Sequence, residues 1–132
     1  MPTTAPQRGS DVVTDGIRVE VRPEYLPEQS RPDEHKWVFA YRVRITNQRP
    51  HRARLISRHW IIVDADGDRH DVVGEGVVGL QPTLAPGQTF EYSSYCPLET
   101  PWGTMEGTYT FENDDKTRFD VTVGRFFLIS AS

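Results

Sequence analysis

The run Gly74-Glu75-Gly76-Val77-Val78-Gly79 has the GxGxxG spacing that, in a dinucleotide fold, brings backbone amides up to a pyrophosphate at a helix N-terminus. Here Leu80-Gln81-Pro82 follows at once, Val77 and Val78 favour a strand, and no βαβ unit surrounds the run. The helix that would supply most of the binding is therefore missing. Two readings stand. One is a glycine-rich strand whose twist or bulge lets Val77 and Val78 pack. The other is a loop nest in which Gly74, Gly76 and Gly79 present amides to a phosphate, a pyrophosphate or a nucleotide.

Asp64, Asp66 and Asp68, with Glu75 eleven positions after Asp64, imitate the oxygen-ligand spacing of a calcium loop. The position that needs glycine is Arg69, and the flanking segments alternate as strands do, so a solvated hairpin turn explains these carboxylates more simply. A loose divalent-cation site shared with His70 or Asp71 is the competing reading, and no metal ligand is assigned. His35, His51, His59 and His70 lack metal-ligand spacing. His59, next to Trp60 in a strand expected to be covered, reads as a hydrogen-bonded histidine in or just below the core. Cys96 precedes Pro97, has no neighbouring base in sequence, and reads as a small buried residue. GxSxG, CxxC and HExxH are all absent, so no catalytic residue, no cofactor and no enzymatic activity are expected.

Arg42 and Arg44, joined by Arg49, Arg52, Arg54 and Arg58, concentrate positive charge in an acidic chain. Such a stripe suits an acidic peptide or phosphates, or it keeps an exposed sheet face soluble. Trp102, between Pro101 and Gly103, either anchors a partner or caps one end of the fold. A partner-binding patch is expected around Arg42, Arg44 and Trp102, or at the Gly74–Gly79 loop.

The elements that must hold these residues alternate with a period of two. Residues 1–14 read as a flexible arm, and order is expected from Asp15. Ile17, Val19 and Val21 point one way on an outer strand whose pairing Pro23 limits. Trp37, Phe39, Tyr41, Val43 and Ile45 give the clearest inward face. Leu55 to Val63 is apolar on both faces, which predicts a central strand covered on both sides. Asp66-Gly67 predicts a two-residue type I′ hairpin. Further strands are expected over Phe90 to Cys96, Met105 to Phe111 and Phe119 to Val123, the last continuing through Phe126 to Ile129 past a bulge at Gly124. Seven or eight strands without a convincing helix predict an antiparallel β-sandwich of the immunoglobulin or fibronectin III kind, in one domain over residues 15–132.

The chain has 132 residues, a length that suits one domain with a core of its own. Fifteen basic against nineteen acidic residues give a net charge of −4, which argues against DNA as a partner. A lone cysteine cannot make an internal disulfide and favours a reducing compartment. No apolar run spans a membrane, and the first residues lack a signal-peptide core, so a cytoplasmic protein is expected. Exposed edge strands leave homodimerisation open.

Several of these features occur together: His59-Trp60, then Asp64 and Gly67, the glycine run, Gln81-Pro82, Pro86-Gly87, Phe90, Tyr92, Ser94, Gly103, Met105, Gly107 and Tyr109. In this combination the chain resembles the ApaG family over about residues 11–129. The resemblance implies the same sandwich. It also implies an accessory role in cobalt and magnesium handling, as in the bacterial members. Nucleotides enter by association only, because the family's genes often neighbour one for diadenosine tetraphosphate hydrolysis. Eukaryotic relatives, certain F-box proteins and a DNA-polymerase-delta-interacting protein, use the domain for protein interaction. A non-catalytic module for a protein partner is therefore the leading expectation, and a pyrophosphate or nucleotide module on Gly74–Gly79 is the alternative.

Overall fold

The computed structural model describes residues 8–130. Among them are nine strands: β1 (Ser10–Thr14), β2 (Ile17–Tyr25), β3 (Trp37–Asn47), β4 (Ala53–Asp64), β5 (Arg69–Glu75), β6 (Thr83–Leu84), β7 (Thr89–Leu98), β8 (Trp102–Glu112) and β9 (Arg118–Ile129). Two single-turn 3-10 helices, Pro27–Gln29 and Pro32–Glu34, occupy the link between β2 and β3. No helix among the described residues is long and apolar enough to cross a membrane.

The strands form two antiparallel sheets, ordered β1-β2-β3-β7 and β5-β4-β8-β9, with β6 added to one end of β4. This is the expected sandwich. The alternation in β2 and β3 packs as anticipated, with Ile17, Val19, Val21, Phe39, Tyr41, Val43 and Ile45 all buried. In β9, Val121, Val123, Phe126 and Leu128 face the core, and the bulge expected at Gly124 falls where the β8 ladder skips from Val123 to Phe126.

Three local expectations are corrected. The segment 10–14, assigned to the flexible arm, is strand β1, paired with β2 from Ser10–Val21 to Thr14–Ile17; the arm's residues 1–7 lie outside the described residues. β2 is thus an inner strand, and Pro23 lies beyond the end of its pairing with β1 while still matching Tyr41 of β3. The hairpin at Asp66-Gly67 has a three-residue loop. Asp64 and Asp68 close it, Gly67 donates to the Asp64 carbonyl at 3.0 Å, and only Gly67 has a positive φ, +84°. That is the pattern of a turn followed by a left-handed residue.

The third correction concerns β4. It does lie centrally, between β5 and β8, but it is not covered on both faces. A register shift between Leu55 and Ser57 makes Ile56 an extra residue. Ala53 and Leu55 face inward before it, and Trp60 and Ile62 face inward after it. His59 is carried to the outer face with Ile61 and Val63, where its Nε2 meets Asp71 Oδ2 at 2.8 Å. It is hydrogen-bonded, as expected, but half-exposed on the outer face rather than in or just below the core.

Asn47, fully buried at the end of β3, ties the crossing loops together. Its Nδ2 donates to the Leu84 and His51 carbonyls at 2.8 and 2.9 Å, and its Oδ1 accepts from the Arg49 amide at 2.9 Å. Asn47→Ala leaves the Leu84 carbonyl buried without this donor. It is expected to lower stability by about 2 kcal/mol or more, read as a lower urea midpoint with an unchanged slope.

Candidate functional site

The sheets close on one side only. There β1 runs against β9, where the Phe127 amide donates to the Arg8 carbonyl at 2.8 Å and the Thr122 amide donates to Thr14 Oγ1 at 3.2 Å. On the other side, the edge strands β5 and β7 flank a cleft of about 750 Å³. A cavity of this size is in the range of ligand-binding clefts.

Trp60 forms its floor. The indole lies edge-on 5.5 Å from the Tyr41 ring of the facing sheet, and 5.9 Å from both Tyr109 and Phe126 of its own sheet. The Tyr92 and Tyr109 hydroxyls are hydrogen-bonded to each other behind it. Burial raises the pKa of Tyr41, Tyr92 and Tyr109 above the ordinary phenol value. Burial also pushes the Cys96 thiol up to about 11, so the one cysteine of the chain is a neutral wall residue at physiological pH, as the small buried residue expected.

The mouth of the cleft carries an apolar cluster beside the exposed charged side chains of Glu34, Lys36 and Glu99. Val72, Val78 and Tyr95 are 39%, 54% and 62% exposed there, and Leu80 of the adjoining turn is 53% exposed. Such a cluster marks an interaction surface more strongly than scattered apolar residues do.

The glycine run forms one lip of this cleft. Gly74 pairs with Arg58 one position before the β5 ladder ends at Glu75, and Gly76 and Gly79 have φ of +66° and +81°. Val77, fully buried, exchanges both backbone hydrogen bonds with Leu80, so Val78-Gly79 is a two-residue turn with positive φ at both positions. The turn chemistry anticipated at Asp66-Gly67 occurs here instead. The Gly76 amide donates to the Ile56 carbonyl at 2.8 Å, and the Val77 and Leu80 amides pair with each other's carbonyls. Only the Val78 and Gly79 amides of this turn have no acceptor among the described residues.

Of the other expected residues, Arg42 and Arg44 project from the outer face of the first sheet, among Glu20, Arg22 and Glu91. Arg42 pairs with Glu91 at 3.3 Å. Trp102, 48% exposed, belongs to the outer face of the second sheet, since its neighbours Gly103 and Met105 face inward. The two arginines and Trp102 are therefore on opposite sides of the sandwich and do not form one patch. The remaining arginines also disperse: Arg49 to Asn113 and the Phe119 ring, Arg52 to Asp114, and Arg54 to Gln81. Asp64, Asp66 and Asp68 cluster in their turn, but Asp64 Oδ1 accepts from the amides of Asp66 and Asp68. Asp71 is held well below the usual carboxylate range by Arg69 and then His59, which compete with any cation there.

Sequence reasoning missed the cleft and Arg58's place in it. The signal was present as Trp60 with Tyr41, Tyr92 and Tyr109, but the bulge hid which residues share a face.

The ApaG domain family profile matches residues 27–113. The chain is 52% identical to Protein ApaG of Anaeromyxobacter dehalogenans over 120 residues, 91% of this chain and 94% of that protein. It is 54% identical to Protein ApaG of Bordetella pertussis over 112 residues, 85% and 86% of the two chains. A crystal structure described as an ApaA protein from Bordetella pertussis superposes with a TM-score of 0.83 at 53% identity, covering 86% of this chain and 92% of that one.

Two outcomes follow from this geometry. A Cβ on Gly76 would lie 2.3 Å from the Leu80 carbonyl oxygen, whereas one on Gly79 meets nothing within 4 Å. Gly76→Ala is expected to destabilise by clearly more than the roughly 1 kcal/mol of Gly79→Ala in paired denaturant titrations. The buried phenols keep their protons longer folded than unfolded, so their stabilisation is complete below pH of about 10 and is lost as pH rises further. Unfolding free energy should fall above that pH, and Tyr92→Phe should flatten the fall.

Proposed function

This chain belongs to the ApaG domain family, and from that premise we propose that it is a non-catalytic binding domain whose open cleft receives a protein partner. The observation that carries this reading is the exposed apolar cluster of Val72, Val78 and Tyr95 at the mouth, over an aromatic floor. The neutral Cys96 thiol and the protonated tyrosines supply shape and hydrogen bonds, not a nucleophile.

Val78 adds weight. It is a β-branched residue held at a φ of +43°, a region such side chains rarely adopt, while leaving over half its surface in water. Asparagine or glycine would serve the turn at lower cost. Retaining a strained, exposed valine at the mouth of a cleft fits a surface kept for contact.

The family resemblance supports an accessory part in cobalt and magnesium handling, carried out in the cytoplasm through the captured partner. Pyrophosphate binding by the Gly74–Gly79 turn draws less support, since the Gly76, Val77 and Leu80 amides already have acceptors.

The test pairs stability with capture. Val78→Asn is expected to raise stability by about 1 kcal/mol through relief of the left-handed strain. Combined with Tyr95→Ser, it should abolish recovery of the partner on affinity-tagged protein and lose cobalt tolerance in a complementation assay. Arg42→Glu with Arg44→Glu should leave both intact. The reverse pattern would move the interface to the outer face of the first sheet.

A further inference from the structure

Arg58 is the one strongly basic side chain that the bulge in β4 turns toward the cleft. Its neighbours across the ladders are Gly74 on β5 and Tyr109 on β8. Nη1 donates to the carbonyls of Gly76 at 2.9 Å and Glu75 at 3.2 Å. Nη2 and Nε have no acceptor among the described residues, and Arg58 makes no ion pair there. A Cβ on Gly74 would come within 2.9 to 3.1 Å of Nη1, Nη2 and Cζ, so the guanidinium occupies the space that this missing side chain leaves. The GxGxxG run thus seats an arginine. Nearby, the Asp64 carboxylate is turned to the amides of its own loop. A half-buried guanidinium with a free edge suits a planar carboxylate, which it binds through two parallel hydrogen bonds.

The opposite wall says what shape carries that carboxylate. β7 is hydrogen-bonded to β3 from Thr89 to Leu98 and, among the described residues, has no strand on its other side. Ser94 to Glu99 line the cleft in unbroken succession. A strand whose face turned to the cavity would contribute alternate residues, as β5 does with His70 and Val72. Because β7 pairs with β3 alone, its other backbone edge is free where Ser94 to Leu98 meet the cleft. Pro97, lacking an N–H, removes at most one donor from it. A strand added there, just under 5 Å from β7, would cover the inner face of β4 and β5 and turn alternate side chains toward Trp60, Val72 and Arg58.

Building on the binding-domain reading above, we propose that the cleft takes an extended segment of a partner protein, which adds a strand to β7 and sets an Asp or Glu carboxylate on Arg58.

The probe is a library of random heptapeptides displayed on phage and selected on the immobilised full chain. Enriched peptides should alternate apolar residues around one fixed acidic position, and the synthetic peptide should shift amide resonances of Tyr92 to Glu99. Arg58→Gln is expected to weaken binding tenfold or more. Gly74→Ala should do likewise while keeping the fold, because the Cβ displaces only the end of a flexible side chain; this variant decides the matter if Arg58→Gln does not fold. N-methylation at alternate peptide residues should abolish binding. Peptides that occupy the cleft with no acidic position, and bind Arg58→Gln equally well, would overturn the carboxylate anchor and leave the cleft reading standing. Tolerance of N-methylation at every position would overturn strand addition. Displacement of the peptide by micromolar inorganic pyrophosphate would assign the guanidinium to phosphate instead. Failure to select any peptide that shifts cleft resonances would overturn both readings together.

Discussion

One extra residue in β4 decides the interior of this protein. Ile56 breaks the ladder between Leu55 and Ser57, and from there on the even-numbered residues face inward. Trp60 then stands between Tyr41 of one sheet and Tyr109 and Phe126 of the other, and becomes the contact that holds the sheets at their distance. Arg58, two residues earlier on the same face, goes with it into the cleft. Without the bulge, Ser57, His59 and Ile61 would face the core, and a histidine would need a buried partner in place of its exposed contact with Asp71.

The cleft itself follows from unequal closure. β1 is short but bonds to both β2 and the neighbourhood of β9, which shuts one side of the sandwich. Among the described residues, no strand does the same between β5 and β7. The open side therefore keeps apolar residues in water and leaves a sheet edge unprotected, two features that soluble proteins ordinarily avoid. They coincide with a turn in which Val78 is held at a positive φ.

The glycine run shows how a motif's spacing can mislead about its physics. Its glycines matter for what they lack: Gly74 yields space to the Arg58 guanidinium, and Gly76 to the Leu80 carbonyl. The amides that a phosphate would need are mostly committed to the hairpin. Arg58 reaches the cleft from β4, outside the glycine run, and joins Glu34, Lys36, Asp64 and Glu99 among its charged lining.

Much of the fold was legible in the residues alone. Alternation in β2, β3, β7 and β9 has a period that only a sheet satisfies, and the linked features from His59 to Tyr109 carry the family. Cys96, which precedes Pro97 and has no base beside it in sequence, is buried as expected. What escaped was everything that depends on parity or on long-range placement. A single skipped residue leaves composition unchanged but exchanges the two faces of β4, so His59 and Arg58 could not be assigned. β1 has too few apolar residues to announce itself, because its pairing comes from backbone hydrogen bonds that any residue makes. Arg42, Arg44 and Trp102 looked like one surface, yet strands from different sheets put them back to back. The amino-acid sequence determined the sandwich, its core residues and the family, since these rest on local periodicity and residue type. Only the tertiary structure decided the site, because a cleft is the gap between two sheet edges, and its lining depends on how they meet.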